Sequence, residues 1–312
     1  MDRIEGVYLS DSLDLQALYG DYLGEDVVLR RPEDVADPAA VRLAVCWQPG
    51  QGAFAAYPNL EVAMSIGAGV DALLDHSGLP GHVGIARVRD PHQAALMAGF
   101  VAHEVLHDSR NFPQMAANAA RRVWHPHPMQ APEALRIAVL GHGTMGRAVI
   151  EALRVLGFTL RVACRSTPDA PLPGVTYLTG DDAVGRAADG ADVLVNVLPL
   201  TDATRDILDA ALLSRLAPGA RLIQIGRGEH LVEADLTAAL DAGHLSGATL
   251  DVFRTEPLPA DHPFWADERL RITPHIASDS IPEVVADQIM RTARALRDGQ
   301  TPDLLIDRSQ GY

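Results

Sequence analysis

Short apolar runs alternate with stretches of helical periodicity along almost the whole chain. In the first part, runs at 6–9, 26–29, 43–47, 62–66 and 82–86 predict strands, and 11–22 and 70–76 predict helices. A long alanine-rich helix is expected over 91–110, opened by Pro91, with a second helical segment running to Val123. After the connector WHPHPMQAPE the alternation resumes, with strands expected at 136–140, 159–163, 175–178, 193–198, 221–225, 249–252 and 271–273. A last helix spans 282–298, after which the tail is expected to return to the first part. Strand and helix in regular alternation predict parallel sheets covered by helices on both faces. The fold class expected is α/β: two Rossmann-like or flavodoxin-like parallel-sheet domains with a cleft between them. Residues 1–95 with 283–312 form one, discontinuous in sequence and substrate-binding, and 96–282 form the other, an NADP-binding Rossmann domain.

The run RIAVLGHGTMG, 136–146, carries the first chemical signal. Gly141, Gly143 and Gly146 fall in the G-x-G-x-x-G spacing between an apolar strand and a helical pattern over 144–156, the context in which this motif binds a dinucleotide. The first glycine permits the tight turn, the second lets backbone approach a pyrophosphate, and the third allows close packing of helix on strand. In NAD-binding versions an acidic residue about twenty positions on holds the ribose 2′-hydroxyl. Here Arg165, Ser166 and Thr167 stand in its place. A guanidinium and two hydroxyls suit a 2′-phosphate, so the expected cofactor is NADPH (NADP+).

Composition narrows the alternatives. A chain of 312 residues with a formal net charge of −15 has room for two domains and disfavours nucleic acid or anionic lipid as partner. All 26 basic residues are arginine. Schiff-base chemistry, lysine-anchored pyridoxal phosphate and the Walker-A loop are thereby excluded. Cys46 and Cys164, both placed in strand-like segments, make no disulfide framework, and MDRIEG lacks the apolar core of a signal peptide. The expected location is the cytoplasm, with no membrane span.

Three later segments, IGRG at 225–228, TEPL at 255–258 and TPHI at 273–276, each fall at or just after an expected strand. Open α/β sheets place ligands at that carboxyl edge. Together they offer a cation, a carboxylate and an imidazole. Carbonyl reduction of a 2-keto acid needs that set: Arg227 to hold the carboxylate and polarise the carbonyl, His275 to donate a proton, and Glu256 to orient the imidazole and raise its pKa.

With SIGAGVDALL, VLPLTDATRDIL, GATLDVF, EPLP, ITPHIAS and the final DRSQGY, these motifs resemble the D-isomer-specific 2-hydroxyacid dehydrogenases, and within them the bacterial glyoxylate/hydroxypyruvate reductase A branch. The resemblance implies Arg227, Glu256 and His275 as catalytic residues. It implies cofactor contacts from Gly141, Gly143, Thr144, Met145, Gly146, Arg165, Ser166, Thr167, Leu198, Pro199, Thr204, Ile225, Asp251 and Ala277, with Asp251 near the nicotinamide amide. The substrate loop corresponds to Gly67, Ala68 and Gly69, whose backbone N–H groups can cradle a carboxylate. Trp47 reads equally as a pocket wall and as a plain core tryptophan. Arg227 also counts among the substrate contacts. The substrate implied is glyoxylate, hydroxypyruvate or another small 2-keto acid, and the assembly implied is a homodimer with the segment around His125 and His127 near its interface.

Two other functions remain open on the sequence. The fold can serve as an NAD(P)H-sensing binding module without turnover. His103, Glu104 and His107 satisfy H-E-x-x-H, the zinc metallopeptidase motif, although no third-ligand motif follows. The charges in LVEADLTAALDAG read as a capped, solvated helix face.

Overall fold

The structure, a computed structural model, describes residues 3–308. The last four residues of DRSQGY lie outside the described residues, as do Met1 and Asp2. The chain divides into two compact units, Met1–His92 with Asp279–Tyr312, and Gln93–Ser278.

The first unit holds a parallel sheet of β1 (Ile4–Ser10), β2 (Val27–Arg30), β3 (Val41–Trp47), β4 (Val62–Ser65) and β5 (Gly84–Arg87), in the order β2-β1-β3-β4-β5. This is the flavodoxin-like order. Its strands are apolar on both faces, as a sheet buried on both sides requires. Ile4, Leu43, Val62 and Met64 pack against Val285, Ile289 and Ala293 of the helix Pro282–Arg297. On the opposite face Val7, Ala44, Ala63 and Ile85 pack against Phe54, Leu60, Val70 and Leu73. The tail does return: Ile306 donates to the Ile85 carbonyl at 2.9 Å, antiparallel to β5.

The second unit holds β6 (Arg136–Leu140), β7 (Thr159–Ala163), β8 (Val175–Leu178), β9 (Val193–Asn196), β10 (Ala220–Gln224), β11 (Leu245–Leu250) and β12 (Leu270–Ile272). All pair in parallel, in the order β12-β11-β10-β9-β6-β7-β8. Strand order reverses between β6 and β9, the place where doubly wound sheets bind ligands. The helix Thr144–Val155 buries Val149, Ile150 and Leu153 completely against this sheet. Truncating Ile150 or Leu153 to alanine would cost about 2–5 kcal/mol.

Three expectations need correction. The helix expected over 11–22 is α-helical only at Leu15–Tyr19, with a 3-10 turn at Gly20–Tyr22. The Ser10 hydroxyl accepts the N–H groups of Ser12 and Leu13, and Asp14 caps at Ala17, so local side-chain acceptors delay the start. Cys164 lies one residue past β7 and is only half-buried, unlike Cys46. The helix Glu233–Asp241 lacks the expected side-chain cap: its N-cap is Val232, and Asp235 accepts from the Ala210 N–H instead.

Candidate active site

The glycine turn follows β6 directly. Gly141 has φ 107°, and a Cβ on Gly146 would lie 2.3 Å from the Gly141 carbonyl oxygen, so the turn and its close approach exclude side chains at both positions. Gly143 faces open space and caps the helix Thr144–Val155 without a side-chain acceptor. Its first N–H groups therefore form an anion site with the helix dipole behind them. Thr144 is exposed here and Met145 half-buried. Leu198 and Pro199 leave β9, the neighbour of β6, and the Thr204 hydroxyl donates to the Pro199 carbonyl at 2.8 Å. Arg165, Ser166 and Thr167 are exposed just past the end of β7. Ile225 and Ala277 are buried in the core beneath, with Val139 and Val195. Cradle, exposed cation and hydroxyls fit a phosphorylated dinucleotide.

Arg227, Glu256 and His275 gather in the same unit. Each follows a strand on the far side of the sheet: Arg227 follows β10, Glu256 follows β11 and His275 follows β12. His275 Nδ1 lies 2.9 Å from Glu256 Oε2, and Glu256 Oε1 accepts the Phe253 N–H at 2.9 Å. Burial pushes the Glu256 carboxyl up. The hydrogen bond from His275, the charges of His275 and Arg227 and the Phe253 N–H outweigh it, and the carboxyl sits below the ordinary glutamate range. An ionised Glu256 thus orients the ring and leaves Nε2 as the nitrogen for chemistry. His275 itself has φ 54°, the left-handed region that non-glycine residues rarely adopt. Such strain persists only where the surroundings over-determine it.

Asp251 supplies that constraint. Buried at the end of β11, its carboxylate accepts Thr273 Oγ1 at 2.6 Å and the N–H groups of Ile276 at 2.8 Å and Ala277 at 2.9 Å. Its carbonyl accepts the His275 N–H at 2.8 Å. The residue matched to the nicotinamide amide is therefore placed first as the clamp of the His275 loop.

In the first unit, the loop Gly67, Ala68 and Gly69 follows β4. All three of its carbonyls are engaged: by the Val88 N–H at 3.2 Å, Arg87 Nη1 at 3.4 Å and Ser65 Oγ at 2.7 Å. Among the described residues no acceptor meets the N–H groups of Ala68 and Gly69, as a carboxylate cradle requires. Trp47 ends β3 half-buried, and a Cβ on Gly67 would come within 3.1 Å of its ring.

The H-E-x-x-H segment is committed elsewhere. Glu104, almost fully buried, accepts Thr249 Oγ1 at 2.6 Å and pairs with Arg271, which also donates to His107 Nδ1 at 2.7 Å. Burial raises the Glu104 carboxyl, but Thr249, His103 and Arg271 outweigh it and hold it below the ordinary range. A carboxylate so held is a structural anion and not a base. Among the described residues no three His, Cys, Asp or Glu side chains are placed to hold a metal ion, and no helix is long and apolar enough to cross a membrane.

Sequence reasoning missed Asn196, Gln224 and His230, all fully buried behind Arg227. A faint signal exists: adjacent strands β9 and β10 both end apolar runs on an amide side chain, VLVN and RLIQ.

Comparison with known proteins gives the family. Residues 102–277, more than half of the chain, match the D-isomer specific 2-hydroxyacid dehydrogenase NAD binding domain. A glyoxylate/hydroxypyruvate reductase A of Yersinia enterocolitica is 38% identical, over 86% of this chain and 87% of its own. Among solved structures, a D-isomer specific 2-hydroxyacid dehydrogenase of Xanthobacter autotrophicus, in complex with NADPH and MES, is similar at TM-score 0.84 and 37% identity, covering 100% of both chains. An NADPH-dependent glyoxylate/hydroxypyruvate reductase of Sinorhizobium meliloti, in complex with NADP and sulfate, matches at TM-score 0.88 and 26% identity over 99% of this chain and 100% of that one. With a glycine cradle at the reversal of strand order and a histidine–glutamate pair beside an arginine, this chain belongs to the D-isomer specific 2-hydroxyacid dehydrogenase family.

Proposed function

We propose that the protein reduces a small 2-keto acid, glyoxylate or hydroxypyruvate, to the 2-hydroxy acid at the expense of NADPH. The observation that carries this reading is the 2.9 Å pairing of His275 with a Glu256 whose carboxyl also feels the Arg227 charge. When bound, the dinucleotide supplies the hydride. Arg227 holds the substrate carboxylate through its planar fork, as lysine could not. His275 Nε2 gives its proton to the carbonyl oxygen as charge develops there, and Glu256 balances the imidazolium before the transfer. We also assign the N–H groups of Ala68 and Gly69 to substrate binding, with Trp47 beside that loop.

We assign substrate binding to residues 1–95 with 283–312 and nucleotide binding to 96–282. Gly141, Gly143, Thr144, Met145 and Gly146 take the pyrophosphate, and Arg165, Ser166 and Thr167 the 2′-phosphate. Leu198, Pro199, Thr204, Ile225, Asp251 and Ala277 line the remainder. The NADPH and NADP complexes of the relatives support this choice of cofactor. We place the protein in the cytoplasm and read it as a homodimer, an assembly that sedimentation of the purified protein checks. The function is tested by oxidation of NADPH across a panel of 2-keto acids. Turnover with glyoxylate or hydroxypyruvate is expected; tight NADPH binding without turnover on any of them would leave the nucleotide-sensing alternative.

A further inference from the structure

Asn196, at the end of β9, Gln224, at the end of β10, and His230, in the 3-10 turn Gly228–His230, are each 0% exposed, and the chemistry above uses none of them. Three buried polar side chains are costly unless every one is satisfied. Their orientations follow from backbone groups whose polarity is fixed. The Leu198 N–H reaches Asn196 Oδ1 at 3.3 Å, so Asn196 Nδ2 is the side that donates to Gln224 Oε1 at 2.8 Å and to His230 Nδ1 at 2.9 Å. The Gly226 N–H also meets Gln224 Oε1, at 3.3 Å, which turns Gln224 Nε2 to the Arg227 carbonyl at 2.7 Å. The Arg227 N–H donates to His230 Nδ1 at 3.0 Å. That nitrogen is therefore unprotonated, and His230 Nε2–H points to the Pro199 carbonyl at 3.3 Å.

We propose that His230, oriented by Asn196 and Gln224, is a positioning residue that links the substrate arginine to the cofactor turn. Its Nδ1 fixes the peptide N–H of Arg227, and its Nε2 fixes the carbonyl of Pro199. The inference rests on the reading of Arg227 as the substrate-binding cation. Both backbone groups of Arg227 are held by this network, so neither flanking peptide can rotate without stranding a buried polar group. Gly226 makes room for it: a Cβ there would lie 2.8 Å from His230 Nδ1 and 3.0 Å from Asn196 Nδ2. The 198–199 turn is tied to the same ring, and Thr204 Oγ1 shares the Pro199 carbonyl at 2.8 Å.

Isosteric substitutions separate the two arms. In His230→Asn the amide oxygen falls near the position of Nδ1 and can accept the Arg227 N–H, but nothing reaches Pro199. In His230→Gln the amide nitrogen falls near Nε2 and can reach Pro199, but the Nδ1 acceptor is lost. His230→Leu loses both. The experiment measures kcat/KM for glyoxylate at saturating NADPH, and the Kd of NADPH by fluorescence titration, which requires no turnover. We expect the Leu variant to lose about 10²-fold in kcat/KM, the scale of a small misplacement of a substrate-positioning group. The Asn variant should recover most of that loss while binding NADPH as weakly as Leu. The Gln variant should show the reverse pattern. Equal impairment of Asn and Gln on both readouts, or a Leu variant within about twofold of wild type, would overturn the proposal. If Leu does not fold, the contrast between Asn and Gln carries the test alone. A wild type that binds NADPH but turns over no 2-keto acid would refute the proposed reaction, while the NADPH arm of the contrast still decides the link from His230 to Pro199.

Discussion

Of the histidine–glutamate pairs in this unit, two among the described residues join an imidazole Nδ1 to one carboxylate oxygen: 2.9 Å for His275 with Glu256, and 2.8 Å for His103 with Glu104. Their surroundings differ. At Glu256 the second oxygen takes one backbone N–H, and the arginine whose charge it feels, Arg227, is the proposed substrate cation. At Glu104 the second oxygen is taken by Thr249 and Arg271, and the carboxylate is 3% exposed while its histidine is 66% exposed. The first pair leaves the imidazole Nε2 for the proposed chemistry; the second ties the helix Pro91–Ser109 to β11 and β12. What separates chemistry from architecture is where the carboxylate's other lone pairs go.

The contrast can be broken by substitution. Glu104→Ala should have the largest effect on folding, about 3 kcal/mol lost, because the part-buried Arg271 keeps only Asp108, at 3.4 Å, as a counter-charge and the Thr249 hydroxyl loses its acceptor. Urea unfolding measures it, and a loss under about 1 kcal/mol would remove the structural role. His275→Ala should lower kcat by about 10²-fold or more with little change in unfolding. Arg165→Ala should cut the preference for NADPH over NADH by about tenfold, the scale of one exposed charge-assisted contact, read as the ratio of kcat/KM values. An unchanged ratio would remove Arg165 from the 2′-phosphate site.

Acid should distinguish the pairs more gently. Glu104 and Glu256 both have depressed native pKa values, so each contributes stability that is present above the ordinary glutamate value and lost as pH falls through the native one. Wild-type stability should therefore fall on acidification below about pH 4.3, and Glu104→Gln should fall less steeply there. Identical slopes for the two would contradict the assignment. The smallest effect expected is that of a chelator, which should leave turnover unchanged if His103 and His107 hold no functional metal.

Much of this was readable in the sequence where a pattern has a local cause. The strands β6, β7 and β8 run over 136–140, 159–163 and 175–178 as their apolar runs predict. β9 stops at Asn196, two residues short of its apolar run, because Val197 and Leu198 leave the sheet to form the turn at the reversal of strand order. The arginine, glutamate and histidine were legible as three strand-end motifs. Asn196, Gln224 and His230 were not, since their partners are 28 and 34 residues away in the chain and no periodicity marks a polar side chain inside an apolar core. The H-E-x-x-H spacing was legible and misleading. It records which residues share a helix face, but not that Arg271, 167 residues on, neutralises the glutamate.

The central claim, that the reaction centre is the Glu256–His275 pair, is tested most directly by glyoxylate-dependent NADPH oxidation in wild type, His275→Ala and Glu104→Gln. All three are compared at a temperature where each is folded. The account predicts that His275→Ala loses about 10²-fold or more in kcat while Glu104→Gln stays within a few-fold of wild type. Retained activity in His275→Ala, with loss confined to Glu104→Gln, would contradict it.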